Sequence, residues 1–343
     1  ELTQTLIDIR KWREYKKGTV RSVIADLELQ DARRQLLNKV TEVYFDILQL
    51  KKDLELIEKA KESMMAQVKQ TEALYMKGAG TVIDFYDAQS AYEEIEAEEL
   101  SVYSKLEVGL RKLSAITNRP YHTLENKKII VDGIELLTLG YWRQAALSEN
   151  STLKVKSELI NEAEHEVKAI KALHLPSIDL SLGYQDSINK RDAGAGGNIK
   201  YPTRGRYANL RLTIPFFSGG GIASETRSAV ASREMLYHEY SFARENVMLQ
   251  IEGLFLDVRN NQRQIKAFSQ LVDTNLVKLE ATRVGFKAGV RTLVDIIRAE
   301  KDYLEAQRNL AEVQYQIASN YIMLQTLSGE VDLYGMQSIL DKY

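Results

Sequence analysis

Apolar residues follow two different periods along this chain. Over residues 22–74 and 222–284 they recur at helical spacing, with Gly253 as the only Gly or Pro in either segment. At 1.5 Å per residue, helices of this length would span roughly 80 and 90 Å. Residues 176–186 and 207–216 instead alternate apolar with polar side chains, which predicts strands with one apolar face. We therefore expect two long helical segments with a strand pair between them.

The segment after each long helix carries a heptad repeat. A period of 3.5 residues is typical of helices that pack side by side, so each long helix and its successor are predicted to form a hairpin. The heptads alone would also fit an ordinary coiled coil. The acidic run at 92–100, which interrupts the stripe at Glu99, is typical of a solvated helix face. The repeated positions are Phe85, Tyr92, Leu106 and Leu113 in the first hairpin and Ile296, Tyr303, Leu310, Ile317 and Leu324 in the second.

The two hairpins are copies of one another, offset by 211 residues. This offset places LYMKGAGTVIDFYDAQSAYEE (74–94) over GFKAGVRTLVDIIRAEKDYLE (285–305), and the register holds without a gap over residues 43–118. In both copies a Thr stands where the return helix should begin, with Asp three residues later, which predicts a helix N-cap. Two unrelated helices would not keep Gly, Thr and Asp in register, so we infer an internal duplication. The matched residues include Gly78 with Gly289, Thr81 with Thr292, and Asp84 with Asp295.

Composition and charge exclude several classes of function. The 343 residues carry a net charge of −2, which gives no electrostatic basis for binding nucleic acid. The chain has no cysteine and only four histidines, which excludes thiol catalysis, disulfides and cysteine-based zinc sites. No apolar run approaches the roughly 18–20 residues of a membrane-spanning helix, so strands or a surface helix would have to make any contact with a membrane. We expect neither an enzyme nor a bound cofactor.

Two glycine-rich stretches and one acidic cluster resemble binding motifs without meeting their requirements. SGGG at 218–221 follows a strand and precedes a helix, as in a phosphate-binding loop, but it lacks the lysine of that loop. DAGAGGNIK at 192–200 is not followed by a helix, so both stretches are predicted to be flexible turns. Glu162, His165 and Glu166 lie within one helical turn but lack the spacing of a zinc-binding helix, so no metal site is predicted.

With these features in this order, the chain resembles the TolC family of outer-membrane efflux proteins over nearly its whole length. The resemblance implies a mainly α protein with a β membrane part. Three protomers would form a 12-stranded β-barrel in the outer membrane and an α-barrel tunnel of long coiled hairpins in the periplasm, with a mixed equatorial region around the tunnel. The matching stretches are LTQTLIDIRKWR (2–13), HLPSIDLSLGY (174–184), LTIPFFSGGG (212–221) and the paired turns KGAGTVIDFYDAQ and AGVRTLVDIIRAE.

The function that the resemblance implies is a passive exit duct in a homotrimer. A periplasmic adaptor (membrane fusion) protein would connect the duct to an inner-membrane pump or ABC exporter, for multidrug efflux or type I secretion. The residues alone leave a second hypothesis open, a soluble coiled-coil scaffold with a β-hairpin module. The two hypotheses differ in whether the apolar face of the strands meets outer-membrane lipid.

The domain organisation follows from the duplication and the resemblance. A family protomer carries a further strand pair before its first tunnel helix, and only the tail of that pair is present, at about residues 1–8. The expected domains are a first repeat at 1–118 with its tip near 75–84, an equatorial region with connecting helices at 119–175, a strand pair at 176–217 with an external loop at 187–206, a second hairpin at 218–329 with its tip near 286–295, and an equatorial tail at 330–343.

The resemblance places a gate at the hairpin tips, at Asp84, Phe286, Arg291, Asp295 and Arg298. A pair between Arg291 and Asp84 would be charge-assisted and would hold neighbouring helices inward. Phe286 stands where the family has a Tyr hydroxyl, so one hydrogen bond of the gate should be missing. Arg298 stands where the family has a second acidic ring, which predicts a weaker cation selectivity than a doubly acidic aperture would have.

Three further sets of residues are assigned roles. The small residues of the two tips would permit close approach of the adaptor, the apolar residues of the strands would face lipid, and a Pro–Gly set would let the backbone swing from strand to helix. The docking residues are Lys77, Gly78, Ala79, Gly80, Ala288, Gly289 and Val290. The lipid-facing residues are Ile178, Leu180, Leu182, Tyr184, Leu210, Leu212 and Ile214. The swivel residues are Pro176, Pro215, Gly219, Gly220 and Gly221.

Overall fold

A computed structural model describes residues 1–124, 134–192 and 198–330 of the chain. The predicted tail at 330–343 lies outside the described residues except for Glu330. In chain order the elements are strand β1 (Leu2–Ile7), helices α1 (Ile9–Met76), α2 (Val82–Thr117), α3 (Leu139–Glu149) and α4 (Ser151–Lys171), a 3-10 turn (Ala172–His174), strands β2 (Ser177–Asp192) and β3 (Asn198–Thr213), and helices α5 (Gly221–Lys287) and α6 (Leu293–Ser328).

The chain forms two compact units. The first contains Glu1–Gln30 and Ser151–Arg244, and the second contains Asp31–Asn150 and Glu245–Tyr343. The first unit holds the sheet, and the second holds both hairpin tips. Among the described residues, none of the helices combines the length and apolarity that crossing a membrane requires.

The three strands form one antiparallel sheet in the order β1-β2-β3. Strands β2 and β3 are longer than the sequence predicted, because their pairing continues through Ser187↔Thr203 into the segment that was expected to be an external loop at 187–206. Two strands can pair through backbone hydrogen bonds without alternating apolar side chains. The polar and glycine-rich composition of this segment therefore did not show where the strands end. β1 confirms the expectation of a strand at the start of the chain.

The duplication predicted from the sequence is visible in the helix boundaries. The same offset of 211 residues takes the end of α1 at Met76 to the end of α5 at Lys287 and the start of α2 at Val82 to the start of α6 at Leu293. Both return helices have 36 residues. Helix α1 begins at Ile9, well before the predicted start at residue 22. A Cβ added at Gly18 would meet no atom within 4 Å, and a single exposed glycine costs a helix only about 1 kcal/mol.

Helix α6 packs between α1 and α5 and forms the core of the second unit. On one side, Ala318 and Ile322 pack against Phe45 and Leu48 of α1. On the other side, Ile317 packs with Val258 of α5. Most of the heptad stripe of α6 is therefore buried as predicted, while Tyr303 and Leu310 are half-buried. The heptad positions and companions that are buried are Ile296, Ala299, Ala306, Val313, Ile317, Leu324 and Leu327.

The acidic run at 92–100 is not simply a solvated face, which corrects the sequence-based expectation. Glu99 accepts a hydrogen bond from Lys61 of α1 at 2.5 Å, and Lys61 also lies 3.4 Å from Glu96. Glu98 accepts one from Arg308 of α6 at 2.5 Å. The sequence could not show these partners, because they come from two helices that are distant along the chain. The run therefore supplies ion pairs between α2 and its neighbours.

Next to this run, Asp53 of α1 lies in a partly buried cluster of charges. Its Oδ1 is buried and has no hydrogen-bond partner among the described residues. Burial raises the pKa of the Asp53 carboxyl to about 6; Arg308 opposes this shift, while Glu312 and Glu98 add to it. An unfolded aspartate ionises near pH 4, so the free energy of unfolding should fall as the pH rises from about 4 through 6.

We expect Asp53→Asn to stabilise the protein above pH 7 and to change it little at pH 4. The amide keeps the shape of the side chain and removes the cost of an ionised carboxylate in this cluster. The gain should be roughly 1–2 kcal/mol after a discount for partial exposure to solvent. Chemical denaturation at pH 4 and at pH 8 measures the difference. An equal gain at both pH values would show that the ionisation of Asp53 is not responsible.

The end of α6 is fixed by a junction with α3. Gly329 caps α6 in the left-handed conformation, with φ +81°. The side chain of Asn150, which is fully buried, donates a hydrogen bond from Nδ2 to the carbonyl oxygen of Leu327 at 2.8 Å. The buried indole of Trp142 in α3 packs edge-on against Tyr321 of α6. The bond from Asn150 satisfies one of the free carbonyls at the end of α6, and the ring contact adds packing between α3 and α6.

Candidate functional site: the apolar sheet face and the hairpin tips

The register of the sheet places the predicted lipid-facing residues of β2 and β3 on one face, while Ile214 lies just beyond the end of β3. Leu180 of β2 is opposite Leu210 of β3, and Ile178 is opposite Leu212. Residues that are directly opposite in an antiparallel pair point to the same side of the sheet. β1 extends the same face, because Leu2 is opposite Leu182. Leu210 is 68% exposed, so this apolar face is open in the single chain.

The opposite face of the sheet is polar and hydrogen-bonded. The Thr5 hydroxyl donates to Asp179 Oδ1 at 2.8 Å, and the Thr3 and Ser181 hydroxyls lie 3.3 Å apart. The ring of Tyr207 lies across Gly183, where an added Cβ would come within 2.3 Å of the ring. A sheet with one apolar and one polar face is typical of a membrane β-barrel with a polar interior.

Four of the five predicted swivel residues lie where strand β3 passes into helix α5. β3 ends at Thr213, just before Pro215, and α5 begins at Gly221. Gly219 and Gly220 have φ values of +63° and +82°, a conformation that favours glycine. Their backbone geometry agrees with the assigned role, which stays a prediction because no motion has been observed. Pro176 directly precedes β2 at the matching entry into the sheet.

The two hairpin tips have the same turn. Gly78 and Gly289 have φ values of +68° and +75°, and each donates its N–H to a carbonyl three residues earlier, at Tyr75 and Phe286 respectively. The next residues, Ala79 and Val290, each donate to the carbonyl five residues earlier at 2.9 Å. The duplication therefore extends to backbone hydrogen bonds. Of the predicted docking residues, Gly80 is half-buried and the others, Lys77, Gly78, Ala79, Ala288, Gly289 and Val290, are exposed.

Two of the predicted gate residues, Asp84 and Asp295, bond to the threonine that caps each return helix. Thr292 and Asp295 form a complete capping box, in which each side chain accepts a hydrogen bond from the backbone N–H of the other residue. Hydrogen bonds from the backbone and side chain of Thr292 lower the pKa of Asp295, and Arg291 and Arg298 act in the same direction. The Asp84 carboxylate accepts a bond from the Thr81 hydroxyl at 2.6 Å. Within the described part of one chain, Asp84 and Arg291 do not form an ion pair.

The remaining gate candidates have different surroundings. Phe286 packs against a buried cluster of Leu279, Ile296 and Ala299 inside the second hairpin, so its ring contributes to the hydrophobic core there. The stem of Arg291 crosses Gly285, where an added Cβ would lie 2.7 Å from Arg291 Cγ. Arg298 is exposed. The structure of one chain therefore does not bring the five gate candidates together, and their joint role remains a proposal.

Sequence reasoning missed one polar network above the second tip. Arg283 Nη2 of α5 donates to Glu300 Oε1 of α6 at 2.5 Å, and the Ser63 hydroxyl of α1 donates to the same oxygen at 2.8 Å. A signal was present in the two copies, because at the offset of 211 residues Glu72 and Gln89 stand where the second copy has Arg283 and Glu300. The copies also differ in charge elsewhere near the tips, as at Asp87 and Arg298, so this signal did not single out the network.

The metal hypothesis weighed for Glu162, His165 and Glu166 gains no support. Glu162 accepts a hydrogen bond from Arg21 Nε at 2.6 Å, and Glu166 accepts one from Lys17. Both carboxylates are therefore paired with cations of α1. Within the parts of the chain that the structure covers, no group of three or more His, Asp or Glu side chains is arranged to hold a metal ion.

Comparison with known proteins agrees with this architecture. Proteases secretion protein PrtF of Dickeya chrysanthemi is 23% identical and covers 98% of this chain and 73% of its own length. Outer membrane protein TolC of Escherichia coli is 24% identical and covers 100% of this chain and 71% of its own. The crystal structure of VceC from Vibrio cholerae superposes with a TM-score of 0.81 at 18% identity, covering 95% of this chain and 78% of VceC.

A family profile described as "Outer membrane efflux protein" matches residues 1–119 and 142–330. Proteins of this kind are channel-tunnels of efflux and secretion systems in the outer membrane of Gram-negative bacteria, and they are not enzymes. This decides between the two hypotheses that the residues left open, in favour of the channel over the soluble scaffold. The chain therefore belongs to the outer membrane efflux protein family.

Proposed function

We propose that three copies of this chain form one channel-tunnel. The sheet of each chain would contribute to a shared barrel, and the duplicated hairpins would line a periplasmic tunnel. The observation that carries the proposal is the amphipathic sheet, whose apolar face is exposed in the single chain at Leu182, Leu210 and Leu212. A face of this kind needs lipid to cover it, and two edge strands need partners to remove their open edges. Cross-linking of detergent-extracted protein should give a trimer, and a soluble monomer would contradict the proposal.

The hairpin tips are proposed as the docking surface for a periplasmic adaptor. Their turns are closed by backbone hydrogen bonds, and Gly78 and Gly289 carry no side chain, so a partner can approach the backbone closely at these positions. The adaptor would in turn connect the tunnel to an inner-membrane pump or ABC exporter. The similarity to PrtF, whose name refers to protease secretion, favours a protein as cargo.

The aperture of this channel is proposed to lie at Asp295 and Arg298 of each chain. The capping bonds that lower the pKa of Asp295 keep its carboxylate ionised, so a ring of these residues would attract cations. Arg298 lies on the same helix three residues later and is positioned to offset that charge. Arg291 would hold the tips inward by pairing with Asp84 between neighbouring helices.

We expect Asp295→Ala to lower the selectivity of the channel for cations and Arg298→Ala to raise it. Each change removes one sign of charge from the proposed aperture, so the two effects should be opposite. Reversal potentials in planar lipid bilayers with a salt gradient measure the selectivity. Lys77→Ala, at the first tip, provides a control for the loss of any exposed charge. Unchanged reversal potentials in both aperture variants would show that the aperture lies elsewhere.

A further inference from the structure

We propose that Arg204 and Arg206 of β3 form a binding site for the phosphate groups of the glycolipid in the outer leaflet of the outer membrane. This inference rests on the proposed channel function, in which the apolar face of the sheet meets lipid. It adds a contact with one class of lipid at the outer rim of the barrel. Tyr184 of β2 would border the site, and Asp186 would limit its strength.

The register of the sheet places both arginines on the apolar face. Side chains alternate along a strand, so the side of β3 that carries Leu210 also carries Arg206 and Arg204. In the ladder, Arg206 is opposite Tyr184 and Arg204 is opposite Asp186. All four of these residues are exposed. The face that begins with leucines near the helices therefore ends with an aromatic ring and three charged groups.

The arginines lie toward the end of the sheet that is remote from the helices. The chain enters β2 at Ser177, directly after α4 and the 3-10 turn, and leaves β3 at Thr213 on its way to α5. With the helices in the periplasm, the other end of this strand pair faces the cell exterior. Arg204 and Arg206 are then on the side of the outer leaflet, whose main lipid in Gram-negative bacteria is a phosphorylated glycolipid. The phospholipids of the inner leaflet lie at the opposite end of the strands.

The distance along the strand agrees with a position at the outer interface. A strand needs about 9–11 residues to cross a membrane, and Arg206 is ten residues before Phe216. The rings of Phe216 and, at the other end, Tyr184 are exposed, as expected of the aromatic girdles at the two interfaces. An arginine on the lipid face is costly at the bilayer midplane but costs little near an interface. Its long stem also lets the charge extend outward to the headgroups.

The chemistry of the two side chains suits a phosphate. Arginine binds phosphate through parallel N–H donors, and residues two apart on a strand lie roughly 7 Å apart, so both guanidinium groups can reach one headgroup. Arg206 has no side-chain hydrogen bond or ion pair with the residues that the structure describes, so its donors are available. Arg204 donates from Nε to Asp186 Oδ2 at 3.1 Å. Two like charges on one face repel each other, and a phosphate between them would remove that cost.

Asp186 acts against the proposed ligand. Its side chain is exposed beside that of Arg204, so its negative charge would repel a phosphate and compete for the guanidinium group. Removal of this charge should therefore strengthen binding, whereas removal of either arginine should weaken it. Effects of opposite sign on one face distinguish a binding site from general damage to the barrel.

Native mass spectrometry of the detergent-purified protein measures binding of lipid A with both phosphates and of the same lipid after dephosphorylation. The phosphorylated lipid should bind more tightly. Arg204→Gln and Arg206→Gln should each weaken its binding by about five-fold, the effect of one basic residue near a charged headgroup layer. Asp186→Asn should strengthen it. Arg206→Lys keeps the charge without the fork of donors, so its affinity should lie between those of wild type and Arg206→Gln.

Arg211→Gln is the matched control. Arg211 belongs to the same strand but lies on the polar face opposite Asp179, so this variant should bind the lipid like the wild type. Equal losses in Arg206→Gln and Arg211→Gln, or equal binding of the two forms of lipid A, would overturn the site alone. Equally tight binding of phosphatidylglycerol would overturn its assignment to the outer-leaflet glycolipid. Wild-type protein that is a soluble monomer without detergent would overturn the proposed function itself.

Discussion

The Leu210→Arg variant is expected to be lost from the outer membrane. Leu210 lies on the apolar face of the sheet opposite Leu180, and its side chain is 68% exposed in the single chain. An arginine on the lipid face of a barrel costs roughly 2–4 kcal/mol at the bilayer midplane. Each protomer of an oligomer would carry the same cost. Since folded domains are stable by only about 5–15 kcal/mol, the assembled barrel should not form.

Asn209→Arg is the matched control for this experiment. Asn209 is the neighbouring residue, so its side chain points to the polar face, where it is opposite Ser181. The same charge should be tolerated there, and Arg211 already lies on that face opposite Asp179. Membrane fractionation and native electrophoresis of both variants measure the outcome. Recovery of Leu210→Arg in the membrane at the level of Asn209→Arg would refute the assignment of the lipid-facing side.

Substitution of Gly329 by alanine should destabilise the second unit by roughly 2–4 kcal/mol, combining left-handed backbone strain with overpacking. A Cβ at this position would lie 2.6 Å from Glu149 Cβ and 3.0 Å from the backbone of Glu149. The end of α6 would have to move away from α3, which would also strain the bond from Asn150 to Leu327. The shift in the midpoint of thermal unfolding measures the loss.

Two further variants separate the causes of this effect. Gly289→Ala carries the same backbone strain at φ +75°, but no atom lies within 4 Å of its added Cβ, so it should lose only about 1–2 kcal/mol. Gly329→Asn should relieve most of the backbone strain, because asparagine adopts the left-handed conformation more readily than alanine. Asn118 does so at the matching position of the first copy, with φ 54°. The Cβ of the asparagine would still clash with Glu149. If Gly329→Ala and Gly289→Ala lower the free energy of unfolding by the same amount, the contact between the added Cβ and Glu149 contributes nothing to the loss.

The helical part of the fold could be predicted from the sequence because its signals are local and repeated. Most heptad positions of α6 are buried, and the Thr that precedes each return helix is its N-cap. The duplication predicted that the two return helices are equally long, since their register has no gap, and both have 36 residues. The predicted ends of β2 and β3 were wrong. From the Asp186–Arg204 pair to the ends of the strands, the pairing depends on backbone hydrogen bonds and not on alternating side chains.

The contacts of the candidate site could not be predicted in the same way. Glu300 is one acidic residue among many, and its importance depends on Ser63, which is more than two hundred residues away along the chain. The partners of Glu98 and Glu99 likewise come from α6 and α1. Long-range pairs between helices are set by how the helices pack, which periodicity does not specify. The two copies differ in charge at Arg283 and Glu300, but they differ in charge at other matched positions as well, so the difference could not single out these two residues.

The repeated tip turn affects how many copies of a partner could bind to one channel. A ring built from these chains presents two tips for every chain, so its end has twice as many turns as it has protomers. A partner that recognises the backbone of the turn would find all of these positions equivalent. One that recognises side chains would distinguish Lys77 of the first copy from Ala288 of the second, and would therefore bind at every other tip. The stoichiometry of a bound partner would thus reveal which of the two it recognises.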